Sequence, residues 1–449
     1  LGDYMKLLFV SLGCDKNLVD SEEMLGLLTR KGFEIVDDET LADIIIVNTC
    51  CFIGDAKEES VNTILDMSEY KKQGSCKALI VTGCMAQRYK NEITEEVPEV
   101  DAVLGTTSYE DIYRAIQEAV DGKKFQEFKS IDYLPESLGR RVLTTGGHFG
   151  YLKIAEGCDK HCTYCIIPKL RGKFRSVPME RLLTQAREMA EEGVKELILV
   201  AQETTVYGTD IYGKKSLHVL LKELCKISGI RWIRVLYCYP EEIYDELIQT
   251  MKEEKKICHY LDLPIQHASD RILKRMGRRT TRAELVDIVN KLREEIPDIV
   301  LRTTLITGFP GETEEDHEEL MEFVDEMEFD RLGVFTYSPE EDTPAAGMPD
   351  QIPEEIKEER RDEIMELQQE ISYDKGTDRI GQELLVMIEG KVADESAYIG
   401  RTYGDAPKVD GYIFVQTGEL LMTGDFAKVR VTGALEYDLI GVLADEYTE

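Results

Sequence analysis

The segment Glu156-Gly-Cys158-Asp-Lys-His-Cys162-Thr-Tyr-Cys165 directly follows a short apolar run that could form a strand. Its three cysteines, the loop triad (Cys158, Cys162 and Cys165), lie within eight residues and can surround one compact centre. A structural zinc site usually has four protein ligands, and His161 is the nearest candidate for a fourth. A four-iron cluster on three thiolates instead leaves one iron open to a substrate. The spacing therefore favours a catalytic iron–sulfur cluster, with zinc as the alternative.

Six apolar runs lie between residues 145 and 372, and segments that could form helices lie between them. Helices cover both faces of a parallel sheet, so its strands appear in the sequence as continuous apolar runs. Six such units in roughly 200 residues fall short of a closed eight-fold barrel, which typically takes about 250. We therefore predict an open, partial (β/α)6 barrel of α/β class, with its strands in these runs: 150–155, 196–201, 232–237, 260–265, 300–307 and 331–337.

The N-terminal part shows the same alternation, and three of its apolar runs end near a cysteine. We call these cysteines the edge triad: Cys14, Cys50 and Cys84. The carboxyl ends of parallel strands meet at one edge of the sheet, where ligands bind. A single cysteine after a strand is usually a small buried side chain. Three cysteines in the same structural position instead predict the ligands of one centre.

The remaining segments set the predicted boundaries of three units. Residues 121–148 end in a glycine-rich, polar stretch without periodicity, which indicates a linker. After a charged helix near residues 353–371, the tail consists of short alternating segments between Gly, Asp and Pro turns, as in a small antiparallel β-barrel. We expect a parallel α/β sheet in residues 5–125, the open barrel in residues 145–372 and the β-barrel in residues 376–449.

The chain carries 54 Lys and Arg against 88 Asp and Glu, a net charge of −34. Nucleic-acid binding usually needs a basic surface, so this acidity favours a basic protein partner or simply keeps the protein soluble. The adjacent arginines Arg278-Arg279 and Arg140-Arg141 are interpreted as solvated charge pairs. Eleven cysteines, an odd number, argue against a disulfide framework. Without a long apolar run or a secretory signal pattern, the sequence predicts a cytoplasmic protein with no membrane segment.

The C-x3-C-x2-C spacing of the loop triad, with Tyr164 before its last cysteine, resembles the radical S-adenosylmethionine superfamily. The flanking Ile154-Ala-Glu-Gly-Cys158 and Ile166-Ile-Pro-Lys-Leu-Arg171-Gly resemble its methylthiotransferase branch. That branch has an N-terminal domain with three further cysteines, a radical core and a C-terminal barrel of the TRAM type. The resemblance extends from about Met5 to the end of the chain, and its domain order agrees with the three predicted units.

The resemblance implies two 4Fe–4S clusters and S-adenosylmethionine as cofactors. The loop triad would hold the cluster that cleaves S-adenosylmethionine to a 5′-deoxyadenosyl radical. The edge triad would hold a second cluster, which supplies or carries the sulfur. An external reductant such as flavodoxin or ferredoxin would deliver the electrons.

Four further residues are expected to contact the cofactor. Tyr164 would pack against the adenine. Gln202 and Glu203 follow a strand at the rim where this fold binds its ligand. Gly308 lies in Thr307-Gly-Phe-Pro-Gly-Glu312, which resembles a cofactor loop of the family. Each also has a structural interpretation, as a half-buried tyrosine, a solvated strand end or an ordinary glycine-rich turn.

Two enzyme types in the branch share this architecture: one modifies an adenosine of tRNA, the other the β-carbon of an aspartate in ribosomal protein S twelve. The stretch Ser11-Leu-Gly-Cys14-Asp-Lys-Asn-Leu-Val-Asp-Ser-Glu22 resembles the protein-modifying type, whereas the tRNA type tends to have Tyr-Gly-Cys-Gln-Met-Asn there. Residues 376–449 hold six Lys and Arg against fourteen Asp and Glu, a net charge of −8 that suits a basic ribosomal protein better than tRNA. The aspartate is therefore the predicted substrate, and tRNA adenosine is the alternative.

A hypothesis of another class is a non-catalytic iron–sulfur protein or a zinc-stabilised RNA-binding module. An electron carrier normally supplies four cysteines to each cluster. Each triad here has three, which favours the enzyme.

Overall fold

The computed structural model describes residues 5–74, 76–393 and 395–448. Glu449, the last residue of the predicted third unit, lies outside the described residues. Within these ranges no helix combines the length and the apolar character that crossing a membrane requires.

The first unit is a parallel sheet with helices on both faces. Its six strands are paired in the order β2-β1-β3-β4-β5-β6. The strands are β1 (Lys6–Ser11), β2 (Glu34–Ile35), β3 (Ile44–Thr49), β4 (Ala78–Gly83), β5 (Val100–Leu104) and β6 (Phe125–Glu127). The helices are α1 (Asp15–Arg30), α2 (Gly54–Lys72), α3 (Cys84–Tyr89), α4 (Asn91–Glu96) and α5 (Ile112–Val120). Apolar side chains of α1 and α5 cover one face, and those of α2, α3 and α4 cover the other.

The second unit is an open parallel sheet of six strands, paired in the order β14-β13-β12-β11-β10-β7. Its strands are β7 (Phe149–Lys153), β10 (Glu196–Val200), β11 (Trp232–Val235), β12 (Ile257–Asp262), β13 (Val300–Thr307) and β14 (Arg331–Thr336), and the short β8 (Ala155–Glu156) and β9 (Arg175–Ser176) pair with each other. Its helices are α6 (Ile167–Arg171), α7 (Met179–Glu191), α8 (Leu217–Cys225), α9 (Asp245–Glu253), α10 (Asp270–Arg275), α11 (Arg282–Glu295), α12 (Glu314–Met327) and α13 (Glu354–Thr377).

The third unit is a closed five-stranded barrel, with neighbours in the order β15-β16-β17-β19-β18. The strands are β15 (Glu383–Lys391), β16 (Ala397–Arg401), β17 (Ile413–Gln416), β18 (Phe426–Ala434) and β19 (Leu439–Thr448). Four of the five pairings are antiparallel, but β17 and β19 run parallel. The predicted fold class is confirmed, with this one pairing as the difference.

The three units are packed together around the open sheet. Helices cover one face, which holds the largest apolar core. The other face packs against Val19 of α1 and against Met387 and Phe426 of the barrel. In the same interface the fully buried Arg401 of the barrel binds Glu196 of β10, with 2.7 Å between nitrogen and oxygen. The segment predicted as a linker is ordered, because β6 joins the first sheet and the residues after it pack between the first two units.

Candidate active site

The edge triad lies at the carboxyl ends of three neighbouring strands. Cys14 precedes α1 shortly after β1, Cys50 directly follows β3, and Cys84 directly follows β4 as the first residue of α3. Because β1, β3 and β4 are adjacent and parallel, the fold brings these distant positions to one edge. Cys50 and Cys84 are buried and Cys14 is exposed.

Gly13 makes the close approach within the edge triad possible. Its φ angle is +82°, in the left-handed region that favours glycine. A Cβ atom at Gly13 would lie 2.8 Å from the Cys50 sulfur. Any other residue there would push the Cys50 thiol away from its position beside Cys14.

The loop triad sits between β8 and α6, on a loop fixed by backbone hydrogen bonds. The Cys158 N–H donates to the carbonyl oxygen of Gly172 (3.1 Å), and the Thr163 N–H donates to that of Met276 (2.9 Å). The Cys162 sulfur lies 3.7 Å from the Tyr239 hydroxyl oxygen. Nothing in the sequence distinguishes Tyr239 beyond its place shortly after β11.

Four of the six triad thiols are buried, whereas Cys14 is exposed and Cys165 is half-buried. Burial, together with the nearby Cys84 and Cys14 thiols, raises the pKa of Cys50 to about 12. Burial also raises the pKa of Cys158 to about 11. These thiols are therefore protonated near neutral pH in the metal-free protein, and thiolate formation has to accompany metal binding.

A buried ionic network joins the two triads. The Arg171 guanidinium donates to Asp20 of α1 at 2.8 Å and to Glu156 at 3.1 Å. A further 2.7 Å bond reaches Asn17 of α1. Burial raises the pKa of the Cys84 thiol, while the neighbouring Arg171 lowers it, so the same guanidinium lies beside the edge triad. Arg171 stood in a motif quoted from the sequence, but its place between the triads depends on contacts between units.

Gln202 and Glu203 each carry a buried side-chain oxygen that accepts no hydrogen bond in the described part of the chain. The Gln202 side-chain N–H donates to Glu156 at 3.0 Å, and its Oε1 accepts no hydrogen bond there. Glu203 Oε1 accepts from the Thr205 N–H at 3.0 Å, and Oε2 accepts no hydrogen bond, with the Lys160 ammonium 4.0 Å away. Burial raises the pKa of Glu203 to about 7, while nearby Lys160 lowers it. Unpartnered buried acceptors indicate room for a ligand that donates hydrogen bonds.

Two other expected contact residues have packing roles in the structure. Tyr164 packs in an apolar cluster, where its ring meets Phe309 edge-on with 6.4 Å between the centroids. Gly308 has a φ angle of +69°, and a Cβ atom there would lie 2.1 Å from the Lys357 side chain. Their proposed contacts with the cofactor stay predictions.

The expectation that both arginine pairs are solvated is wrong, because Arg141 is buried beside Glu22 and Arg278 is buried as well. Arg279 is exposed, but the side chain of Arg278 is only 1% exposed and lies against Tyr239 beside the loop triad. An arginine pair is solvated only where no other element of the fold covers it. The local sequence does not show whether a distant element does so.

The donor set fits an iron–sulfur cluster at each triad. All eleven cysteines are free thiols, which are soft ligands suited to iron–sulfur clusters. Among the described residues, no group of three His, Cys, Asp or Glu side chains is arranged to hold a single metal ion. The thiolates of a four-iron cluster bind different irons, so they stand farther apart than the ligands of one ion.

Family models match all three units. The uncharacterized protein family UPF0004 matches residues 6–105, the radical SAM superfamily matches residues 152–324, and the TRAM domain matches residues 380–443. The segments follow the order of the three sheets.

Full-length relatives decide the family. A ribosomal protein uS12 methylthiotransferase RimO from Lachnoclostridium phytofermentans is 66% identical over 97% of this chain and 99% of its own length. Proteins of the same name from Pelotomaculum thermopropionicum and Clostridioides difficile are 52% and 49% identical, each over 97% of this chain and 99% and 98% of their own lengths. The chain belongs to the family of uS12 methylthiotransferases. It is a radical SAM enzyme, a class that uses S-adenosylmethionine and an iron–sulfur cluster.

Solved structures with low sequence identity share the fold. The radical S-adenosylmethionine methyltransferase TsrM from Kitasatospora setae has a TM-score of 0.54 at 13% identity, over 76% of this chain and 77% of its own. The cobalamin-dependent S-adenosylmethionine radical enzyme OxsB has a TM-score of 0.51 at 16% identity, over 82% of this chain and 56% of its own. These likenesses concern the fold alone.

The raised pKa of Glu203 predicts a pH-dependent stability in protein prepared without iron. An unfolded glutamate ionises near its ordinary pKa of 4.5, whereas the folded Glu203 keeps its proton to about pH 7. Stability therefore falls as the pH rises between these two values. Glu203→Gln removes this ionisation and should gain roughly 2–3 kcal/mol relative to the parent between about pH 5 and about pH 8. Urea unfolding at both pH values measures the difference.

Glu242→Gln serves as a control of opposite sign. Burial acts to raise the pKa of Glu242, but hydrogen bonds from Lys160 and Lys215 lower it overall. That variant should lose stability relative to the parent as the pH rises. If Glu203→Gln and the parent show the same pH dependence, Glu203 does not hold a proton at neutral pH.

Proposed function

We propose that this chain transfers a methylthio group to the β-carbon of an aspartate in ribosomal protein uS12. The observation that carries the proposal is the high identity, over nearly the whole chain, to relatives named for that activity. The net charge of −34 supports it, because an acidic surface attracts a basic ribosomal protein. We further propose that the functional units are residues 5–125, 145–372 and 376–449.

We assign one 4Fe–4S cluster to each triad. The loop triad would hold one cluster through three thiolates, and that cluster would supply the electron for reductive cleavage of S-adenosylmethionine. The edge triad would hold a second cluster through three thiolates, and that cluster would supply or carry the sulfur. A radical is needed because neither a general base nor a nucleophile can functionalise an unactivated carbon directly.

The chain's own residues bind and orient the reactants. Gln202 Oε1 and Glu203 Oε2 are the buried acceptors available to hydroxyl and ammonium donors of S-adenosylmethionine. Arg171 keeps the edge triad against the loop that carries Glu156 and Cys158. Tyr164 and Gly308 are proposed to contact S-adenosylmethionine, with Tyr164 packing against its adenine. Electrons come from an external reductant such as flavodoxin or ferredoxin, and we place the reaction in the cytoplasm, where ribosomal proteins are made.

Gly13→Ala tests the edge triad. The added methyl group meets the Cys50 sulfur, so we expect this cluster to be lost and the loop cluster to stay. Iron content after anaerobic reconstitution should fall from about eight to about four per chain. Gly74→Ala is a matched control, because Gly74 has a similar φ of +83° but nothing within 4 Å of the added atom. Equal iron loss in both variants would assign the effect to backbone strain, and about four irons in the parent would contradict a second cluster.

The substrate is tested by incubating the reduced enzyme and S-adenosylmethionine with uS12 and, separately, with tRNA. Mass spectrometry should find a methylthio mass increase on an aspartate of uS12 and none on tRNA. Modification of tRNA alone would establish the alternative substrate and overturn the proposal. A zinc-containing, iron-free protein that modifies neither would favour the RNA-binding module.

A further inference from the structure

Arg278 lies on a turn that is fixed to the loop triad. Helix α10 ends at Arg275, and the next residues fold back toward Cys162. The Thr163 hydroxyl donates to the Arg275 carbonyl oxygen at 2.9 Å, and the Thr163 N–H donates to that of Met276 at 2.9 Å. The backbone therefore delivers Arg278 beside the cysteine that Thr163 follows.

The Arg278 guanidinium is buried and only partly satisfied. Its terminal nitrogen Nη2 donates to the Pro264 carbonyl oxygen at 3.1 Å and lies 3.4 Å from a carboxylate oxygen of Glu241. The central guanidinium carbon, Cζ, lies 4.4 Å from the ring centroid of Tyr239. The hydroxyl oxygen of Tyr239 is 3.7 Å from the Cys162 sulfur. The other two nitrogens, Nε and Nη1, are buried and donate to no acceptor in the described part of the chain.

Two unpartnered N–H groups on a buried cation call for an acceptor with negative charge. A guanidinium offers five donors in a fixed, planar fork, and each buried donor without a partner is destabilising. Glu241 approaches only Nη2, so Nε and Nη1 are left without an acceptor among the described residues. The Tyr239 ring that Arg278 covers carries the hydroxyl beside Cys162, so the loop triad is the neighbouring site for such an acceptor.

We propose that Arg278, through Nε and Nη1, binds the anionic group held at the loop triad. The inference rests on the proposed function, which assigns a cluster and S-adenosylmethionine to this triad. Two groups there share the required chemistry: the sulfur atoms of the cluster and the carboxylate of the cofactor. Hydrogen bonds to cluster sulfur stabilise the reduced, more negative state and raise its reduction potential. A bidentate bond to a carboxylate strengthens cofactor binding instead.

The test compares Arg278→Gln with the parent as anaerobically reconstituted, full-length enzyme. Electron paramagnetic resonance gives the midpoint potential of the cluster and, from the spectral change on adding S-adenosylmethionine, the dissociation constant of that ligand. With unchanged iron content, a lower midpoint potential identifies cluster sulfur as the acceptor. At least tenfold weaker binding of S-adenosylmethionine identifies the carboxylate. Arg278→Lys keeps the charge without the fork, so it should lie between Arg278→Gln and the parent.

Arg279→Gln is the matched control, because it removes the adjacent but exposed arginine and should change neither readout. Unchanged potential and affinity in Arg278→Gln would overturn the inference and leave Arg278 as a structural link between Pro264 and Glu241. Glu241→Gln decides the case in which Arg278→Gln does not fold. Anion binding predicts no loss of potential or affinity in Glu241→Gln, whereas a structural link predicts the same defect as in Arg278→Gln. A parent enzyme that shows no spectral change with S-adenosylmethionine would contradict the proposed function itself.

Discussion

The buried guanidinium of Arg171 links the two halves of the candidate active site. It binds Asp20 of α1 and Glu156 of the loop that leads to Cys158, and it is 2% exposed. Removing one partner from a buried ion pair costs about 3–5 kcal/mol, so α1 and this loop stay in register. Cys14 precedes α1, and Cys158 follows Glu156 by two residues. Lys153 bridges the same two carboxylates, so the two cations together hold the edge triad beside the loop triad.

Most of the fold was predictable because parallel strands buried on both faces leave continuous apolar runs. The six runs of the second unit correspond to its six sheet strands, although β12 begins three residues earlier than predicted. Strands β2, β5 and β6 of the first unit were not predicted. In β5, Asp101 interrupts the apolar run, and its buried carboxylate is satisfied by Lys71 and the Leu79 N–H. The parallel pairing of β17 with β19 joins strands that are not consecutive, so no local pattern predicts it.

Only those residues of the candidate site that lie at strand ends or in a cysteine motif could be predicted from the sequence. The rule that ligands gather at the carboxyl ends of parallel strands placed both triads and Gln202-Glu203. It could not identify Tyr239, whose hydroxyl comes near Cys162 from another strand end. Nor could it show that Arg171 and Arg278 are buried, because the burial of a charged side chain depends on partners distant in the sequence.

The proposed sulfur-transfer chemistry depends on the assignment of two separate iron–sulfur clusters, one to each cysteine triad. Diffraction data at the iron absorption edge, from crystals of anaerobically prepared protein, test it most directly. We expect two distinct iron peaks, one within reach of Cys14, Cys50 and Cys84 and the other within reach of Cys158, Cys162 and Cys165. Iron at only one of these positions, or zinc in place of iron at either, would contradict it.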